Sequence, residues 1–345
     1  MALYDVPAPA KLNLFLHVTG RRADGYHELQ TVFRFIDLCD RLDFDVRRDG
    51  LVQREGEAVP GLAPENDLVV RAARALQQAT GVRLGAQIRY AKRIPSGAGL
   101  GGGSSDAATT LIALNRLWNT GLDRDALTRL ARGLGADVPV FVFGRSAFAE
   151  GIGDVLTEVA LPDRSYLVLR PRGSVATAEI FSAPDLTRNS KPVIISVFAH
   201  WQAARAHQKA GSTYEPQGPC HSGHPDSSNS NPSSPDFGNP LFGRNDLEPV
   251  VLARYEAIRK MAGTLQEQGF HARMTGSGSC FFVEYDTQHE ASRARQKISS
   301  KILEDGSERH AGFEKQALAG HGSITAVLEE TWVCPGLSEH PLRHW

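Results

Sequence analysis

Apolar side chains first fall into step at every second position: Leu12, Leu14, Leu16 and Val18 alternate with Asn13, Phe15, His17 and Thr19. This period predicts a strand over residues 11–19, with Lys11 and Asn13 on one face. Residues 20–25 break it with Arg21, Arg22 and an Asp24-Gly25 turn signal, and Leu29, Thr31, Phe33 and Phe35 resume as a second strand. Tyr26 and His27 follow the turn directly. At Leu68 the period lengthens to that of a helix. Leu68, Val69, Ala72, Ala73 and Leu76 fall on one face and Arg71 and Arg74 on the other, with Asn66 as the expected cap and Gly81 as the stop. A strand over Ala86–Ile94 comes next, then five glycines in seven residues, then a helix whose apolar positions run from Ala107 through Leu111 and Leu114 to Trp118. Ser104 and Ser105 are its N-cap candidates. A further helix starts at Asp123 and stops at Gly135, with Asp137 just after it.

The Leu161-Pro162 break separates this half from a new strand at Ser165, which divides the chain into expected domains 1–163 and 164–345. The second half predicts a helix over Leu247–Gly263 and a strand, turn and strand around Met274–Tyr285. Between them, 20 of residues 211–240 are Gly, Pro, Ser or Asn, too few apolar groups to offset ordering entropy, so a disordered insertion is expected at about 205–241. Its Asp236-Phe237-Gly238 repeats a protein-kinase triplet by chance, since no H-R-D partner accompanies it. Cys220 with His221 and His224 lacks a fourth nearby metal ligand. Residues 304–331 carry no clear pattern.

Composition narrows the function classes. A net charge of −1, from 38 basic and 39 acidic residues, removes the basic field needed to grip long nucleic acid. The four dispersed cysteines suit reduced thiols in a cytoplasmic protein, and no run approaches the roughly 18 apolar residues of a membrane span. The expectation is therefore an unexported protein that acts without nucleic acid or membrane.

The chemistry concentrates in Pro95-Ser96-Gly97-Ala98-Gly99-Leu100-Gly101-Gly102-Gly103-Ser104-Ser105. Placed between a strand and a helix, these glycines let successive N–H groups converge on one anion, and the helix adds its positive end. Gly97, Gly99 and Gly102 satisfy a dinucleotide fingerprint, yet the second strand with its acidic end is missing from residues 119–135. A Walker A loop fails too, because Gly103-Ser104-Ser105 lacks the lysine. What remains is a phosphate loop with serines at the helix start and a lysine supplied from elsewhere, a gap that Lys11 can fill.

The loop from Pro95 to Ala107 resembles the central ATP loop of the GHMP kinases, a family of small-molecule kinases. Pro9–Leu16, Arg22–Leu29, Gly135–Phe141 and Thr275–Gly278 are similar to the branch of that family whose acceptor is CDP-methylerythritol. The resemblance runs from residue 5 to about 185 and from about 243 to 290, and returns at Pro335–Leu342. It lapses across 200–241 and 304–331. It implies an α/β (α+β) fold of two domains, the N-terminal one like the second domain of ribosomal protein S5 and the C-terminal one ferredoxin-like. It also implies ATP with Mg²⁺, and transfer of the γ-phosphoryl group to the 2-hydroxyl of the methylerythritol unit.

Roles follow from the same resemblance. Asp137 is the expected base and Lys11 the cation beside it, though an Asp after a helix is by itself more often a turn or cap residue. Asn13 is expected to hold the erythritol part, Tyr26 and Phe181 to sandwich the cytosine, and His27 to bond its edge. Asn66 is expected to bind ATP. For Lys92 and Arg93, lining the nucleotide and lying solvated on a strand flank stay equally open. Gly276-Ser277-Gly278-Ser279 reads as a buttress of the ATP loop, a contact to the substrate diphosphate or a plain hairpin turn. No side chain is assigned to the metal.

Overall fold

The computed structural model describes residues 1–56, 61–193, 243–307 and 327–345. The disordered insertion expected at 205–241, Cys220 with its histidines and the Asp236-Phe237-Gly238 triplet lie outside the described residues, as does most of 304–331.

Two long antiparallel strands carry the N-terminal half: β1 (Ala2–Arg21) and β2 (His27–Arg47), paired so that Lys11 faces Phe35 and Asn13 faces Phe33. Both outrun the strands expected at 11–19 and 29–35, because register shifts after Leu3, Pro9, Asn13 and Val18 let the pair bend without losing its ladder. Beyond β3 (Val52–Arg54) come α1 (Leu68–Thr80), β4 (Gly85–Ala91) and α2 (Gly102–Leu117). The cap of α1 is Asp67, whose side chain accepts from the Val69 N–H, and Asn66 lies one residue earlier in a 3₁₀ turn. The start of α2 also differs from expectation: Gly101 occupies the left-handed region at φ 74° and the helix begins at Gly102, so Ser104 and Ser105 are already helical. Then follow α3 (Arg124–Arg132), capped as expected by Asp123, α4 (Val138–Phe143) and the hairpin β5 (Ala147–Glu150) with β6 (Val155–Glu158). Helices α1 and α2 cover one face of the sheet over Phe33, Phe35, Phe44, Leu76 and Leu111, all essentially closed to water.

The other half is built from β7 (Ser165–Pro171), α5 (Thr177–Ser182), α6 (Glu248–Arg254), α7 (Glu256–Glu267), β8 (Arg273–Met274), β9 (Phe281–Tyr285), α8 (Gln288–Ser307) and β10 (Leu328–Leu337). The single helix expected over 247–263 is two, because Tyr255 takes an extended conformation (φ −112°, ψ 96°) between them. All the described strands belong to one sheet, with β10 as the joint between the halves. It pairs with β7 from Leu328 to Pro335 and with β2 at Gly336 and Leu337. The residues after it return to the N-terminal half: Leu342 enters that core, and Arg124 donates to the Leu342 carbonyl and, at 2.8 Å, to that of Arg343. The expected unit 164–345 thus lends its last residues to the other side. No described helix is long and apolar enough to cross a membrane.

Candidate active site

The glycine loop closes over the strand that holds Lys11. The Lys11 N–H donates to the Leu100 carbonyl at 3.0 Å, and a Cβ on Gly101 would stand 3.1 Å from the Lys11 side chain and 3.0 Å from Phe141. At Gly99 (φ +74°) a Cβ would come within 2.1 Å of the Thr275 carbonyl oxygen, so two turns from opposite halves touch backbone to backbone. The Cys280 N–H donates to Ala98 at 3.2 Å and the Thr275 hydroxyl to Gly99 at 3.5 Å. The Gly276–Ser279 turn therefore buttresses the loop, and Gly276 and Ser277 also line the cavity below it.

That cavity holds about 940 Å³, ample for a nucleotide and an acceptor together. At its centre the Lys11 ammonium, on a side chain 3 % exposed, lies 3.5 Å from Asp137 Oδ2 and 5.5 Å from the centroid of the Phe33 ring. Asp137 precedes α4 and makes no capping hydrogen bond, which leaves its carboxylate, on a side chain 40 % exposed, directed to Lys11 and the open space. Asn13 lines the cavity too, but both ends of its amide are occupied. Its Oδ1 accepts from Lys11 and its Nδ2 donates to the Thr31 hydroxyl at 2.9 Å, so in this state Asn13 aims the lysine.

Of the loop residues, Pro95 to Gly99 and Gly101 to Ser104 line the cavity. Leu100 and Ser105 do not: Leu100 packs into a core with Leu12, Phe148 and Phe282, and the Ser105 hydroxyl donates to the Pro9 carbonyl at 2.7 Å. Asn66, Leu68, Tyr90, Lys92 and Ile94 also line the cavity, Leu68, Ile94 and the Tyr90 ring as apolar surface. Lys92 is no solvated flank, since Asp40 and Asp106 hold its ammonium, whereas Arg93 is exposed. Elsewhere in the cavity, Tyr26, His27 and Phe181 gather as expected. Phe181 stacks tilted on His27, with centroids 5.2 Å apart and planes at 34°, while Tyr26 is 59 % exposed.

Residues 67–145 match the family model described as GHMP kinases N terminal domain, and residues 234–303 the one described as GHMP kinases C terminal. The 4-diphosphocytidyl-2-C-methyl-D-erythritol kinase of Bordetella bronchiseptica is 53 % identical over 100 % of this chain and 99 % of its own length. The protein of the same name from Cupriavidus taiwanensis is 50 % identical over 86 % of this chain and 89 % of its own. This chain belongs to the 4-diphosphocytidyl-2-C-methyl-D-erythritol kinase family within the GHMP kinases. A crystal structure of 4-(cytidine 5'-diphospho)-2C-methyl-D-erythritol kinase superposes with a TM-score of 0.66 at 29 % identity, covering 97 % of this chain and 99 % of that one. Homoserine kinase from Cytophaga hutchinsonii, at 15 % identity and TM-score 0.58, shares the fold (98 % of this chain and 95 % of that one covered). The stretches 200–241 and 304–331, where the resemblance lapses, fall inside the length matched by the Bordetella relative.

Several residues of this GHMP kinase site carry no local motif. Arg188 donates from Nε to His27 Nε2 at 3.0 Å, and its other nitrogens hold the carbonyls of Phe181, Ala183 and Leu186. An imidazole that accepts through Nε2 carries its proton on Nδ1, so Arg188 fixes the tautomer of His27. Burial first, then the charges of Arg188 and Arg21, lowers the His27 pKa and keeps the ring neutral. Sequence offered no signal for this pair, which is 161 residues apart along the chain. Replacing Arg188 with Met frees the ring. The expected outcome is an acceptor KM raised about tenfold with the KM for ATP unchanged, measured by steady-state titration of each substrate.

Proposed function

We infer that this chain is an ATP-dependent kinase that phosphorylates the 2-hydroxyl of 4-(cytidine 5'-diphospho)-2-C-methyl-D-erythritol, giving the 2-phosphate and ADP in the non-mevalonate route to isoprenoid precursors. The observation that carries this reading is the Lys11–Asp137 pair, set against a glycine loop in a cavity that also contains His27 and Phe181. A phosphoryl transfer asks mainly for positioning and charge compensation. In this reading Asp137 takes the proton of the acceptor hydroxyl as that oxygen bonds to the γ-phosphorus and the bond to ADP breaks. Lys11 sits where it can offset the negative charge of that exchange. Asn13, through Lys11 and Thr31, keeps the ammonium from swinging away. Gly97 to Gly103, together with the first turn of α2, supply N–H groups for the phosphates.

His27, with Nδ1–H as its only donor, suits an acceptor atom on the cytosine edge. Phe181 and the exposed Tyr26 supply flat faces for stacking. Asn66 and the apolar surface at Tyr90 serve the adenosine. Magnesium belongs to the same proposal. It is taken as an ion carried by the triphosphate and its waters. A cytoplasmic enzyme, monomeric or weakly dimeric, completes the reading. A coupled ADP-release assay with CDP-methylerythritol, homoserine and mevalonate in parallel tests it. Turnover on the first alone is expected, and silence on the first or comparable turnover on another overturns the substrate assignment.

A further inference from the structure

Beside the glycine loop, two carboxyl groups share one ammonium. Asp40 of β2 is fully buried and Asp106 of α2 is 2 % exposed. Lys92, just beyond β4, donates to Asp40 Oδ2 and, at 2.7 Å, to Asp106 Oδ2. Asp40 Oδ1 also accepts from the backbone N–H groups of Arg93 and Ile94, the latter at 2.8 Å. Asp106 Oδ1 is buried and has no partner. Two ionised carboxylates beside a single ammonium would leave one uncompensated negative charge away from water, and one bound proton removes it. The hydrogen bonds favour Asp106 for that proton, since Asp40 accepts from three N–H donors and Asp106 from one. The cluster sits directly behind the phosphate loop: a Cβ on Gly102 would lie 3.1 Å from Lys92 Nζ, and Lys92 and Asp106 both line the cavity.

We propose that Asp106 is a positioning residue for ATP and that the Asp40–Lys92–Asp106 cluster is a proton-holding wall of the ATP site, so that losing the shared proton weakens ATP binding. The proposal rests on the reading of this cavity as an ATP site. Burial pushes the Asp106 carboxyl up to about 8, with Lys92 opposing and Asp40 adding to the rise. Burial works against the Lys92 ammonium, but Asp106 and Asp40 outweigh it and hold its pKa above the usual value. Two neighbours, Tyr90 and Arg54, keep their protons between pH 7 and 9. Tyr90 of β4 is pushed up by burial and by Asp67, and Arg54, paired with Asp67 at 2.9 Å, is raised by that partner. Lys11 stands across Gly101 with its own partners, Asn13 and Asp137.

The sign follows from charge. A polyanionic ligand favours the wall without the extra negative charge, so ATP binds more tightly to the protonated cluster and takes up a proton where the free cluster has begun to lose it. The second ionisation of a phosphate group is centred near pH 6, so the charge of the ligand changes little over the range that matters.

Calorimetric titration of ATP with Mg²⁺ from pH 7 to 9.5, in buffers of two ionisation enthalpies, tests this on the wild-type chain and on Asp106→Asn and Asp40→Asn. The wild-type Kd is expected to rise roughly five- to tenfold across the range, with net proton uptake near pH 8. Asn at 106 cannot ionise, and Asn at 40 removes the charge that keeps the proton on Asp106, so both variants are expected to show a flat Kd and no uptake. A wild-type Kd constant within twofold, absent proton uptake, or an unchanged slope in a folded variant overturns the proposal. The wild-type measurement decides even if neither variant folds. Failure of ATP to bind at any pH instead refutes the ATP-site reading.

Discussion

Asp137→Asn lowers kcat by roughly 10²–10⁴-fold, the range over which a positioned acid or base acts, while the KM for ATP changes little. The amide keeps the shape of the carboxylate but cannot accept the hydroxyl proton as a base, and it leaves the Lys11 ammonium without its ion pair. Asp137 makes no capping hydrogen bond to α4, so the substitution removes no stabilising contact from the helix, and the fold is expected to survive. The measurement is steady-state turnover by ADP release, with far-ultraviolet circular dichroism to confirm folding. A loss of only about tenfold would point to a loose transition state that uses Asp137 for orientation and charge more than for proton transfer. Full retained turnover would sink the mechanism.

Gly99→Ala is expected to reduce ATP affinity by at least about a hundredfold and to lower the melting temperature by several degrees. Its left-handed backbone costs a side chain about 1–2 kcal/mol, and the new methyl group would collide with the Thr275 carbonyl oxygen, which is backbone and has no rotamer to escape into. The loop and its buttressing turn must then part, and the N–H groups above the cavity lose their common focus. Gly103→Ala makes the comparison: its φ is not positive and the nearest atom to a Cβ is Leu68 Cδ1 at 3.7 Å, an ordinary contact. That variant should bind ATP within about twofold of the parent. Nucleotide titration and thermal unfolding of the two proteins side by side check the argument, and equal behaviour would show that the turn contact is incidental.

Local pattern made much of this site legible. The period-two run placed Lys11 and Asn13 on one face, and they do hydrogen-bond to each other. The glycine spacing located the loop, and the missing lysine pointed to a cation from elsewhere. What stayed hidden depends on pairings far apart in the chain. Asp40 is one of four aspartates in β2, and nothing local ties it to Lys92, 52 residues on. Arg188 sits in an irregular stretch without period. The α1 cap moved from Asn66 to Asp67 because adjacent residues compete for one N–H, and sequence cannot decide which of two good acceptors wins. Tyr255 ended one helix and began another without a Gly or Pro to mark the break.

The placement of β10 has a consequence for the order of assembly. During synthesis the N-terminal half emerges first with only Phe35 and Ile36 of β2, between its pairings with β5 and β4, awaiting β10, without Leu342 in its core, and with the turn that will press on Gly99 not yet made. β10, which closes that gap, follows every other described strand along the chain. Long-range closure of this kind is slow compared with helix and hairpin formation. The cavity takes its lining from both halves, so it is completed only once Gly276 and Ser277 have docked against the glycine loop.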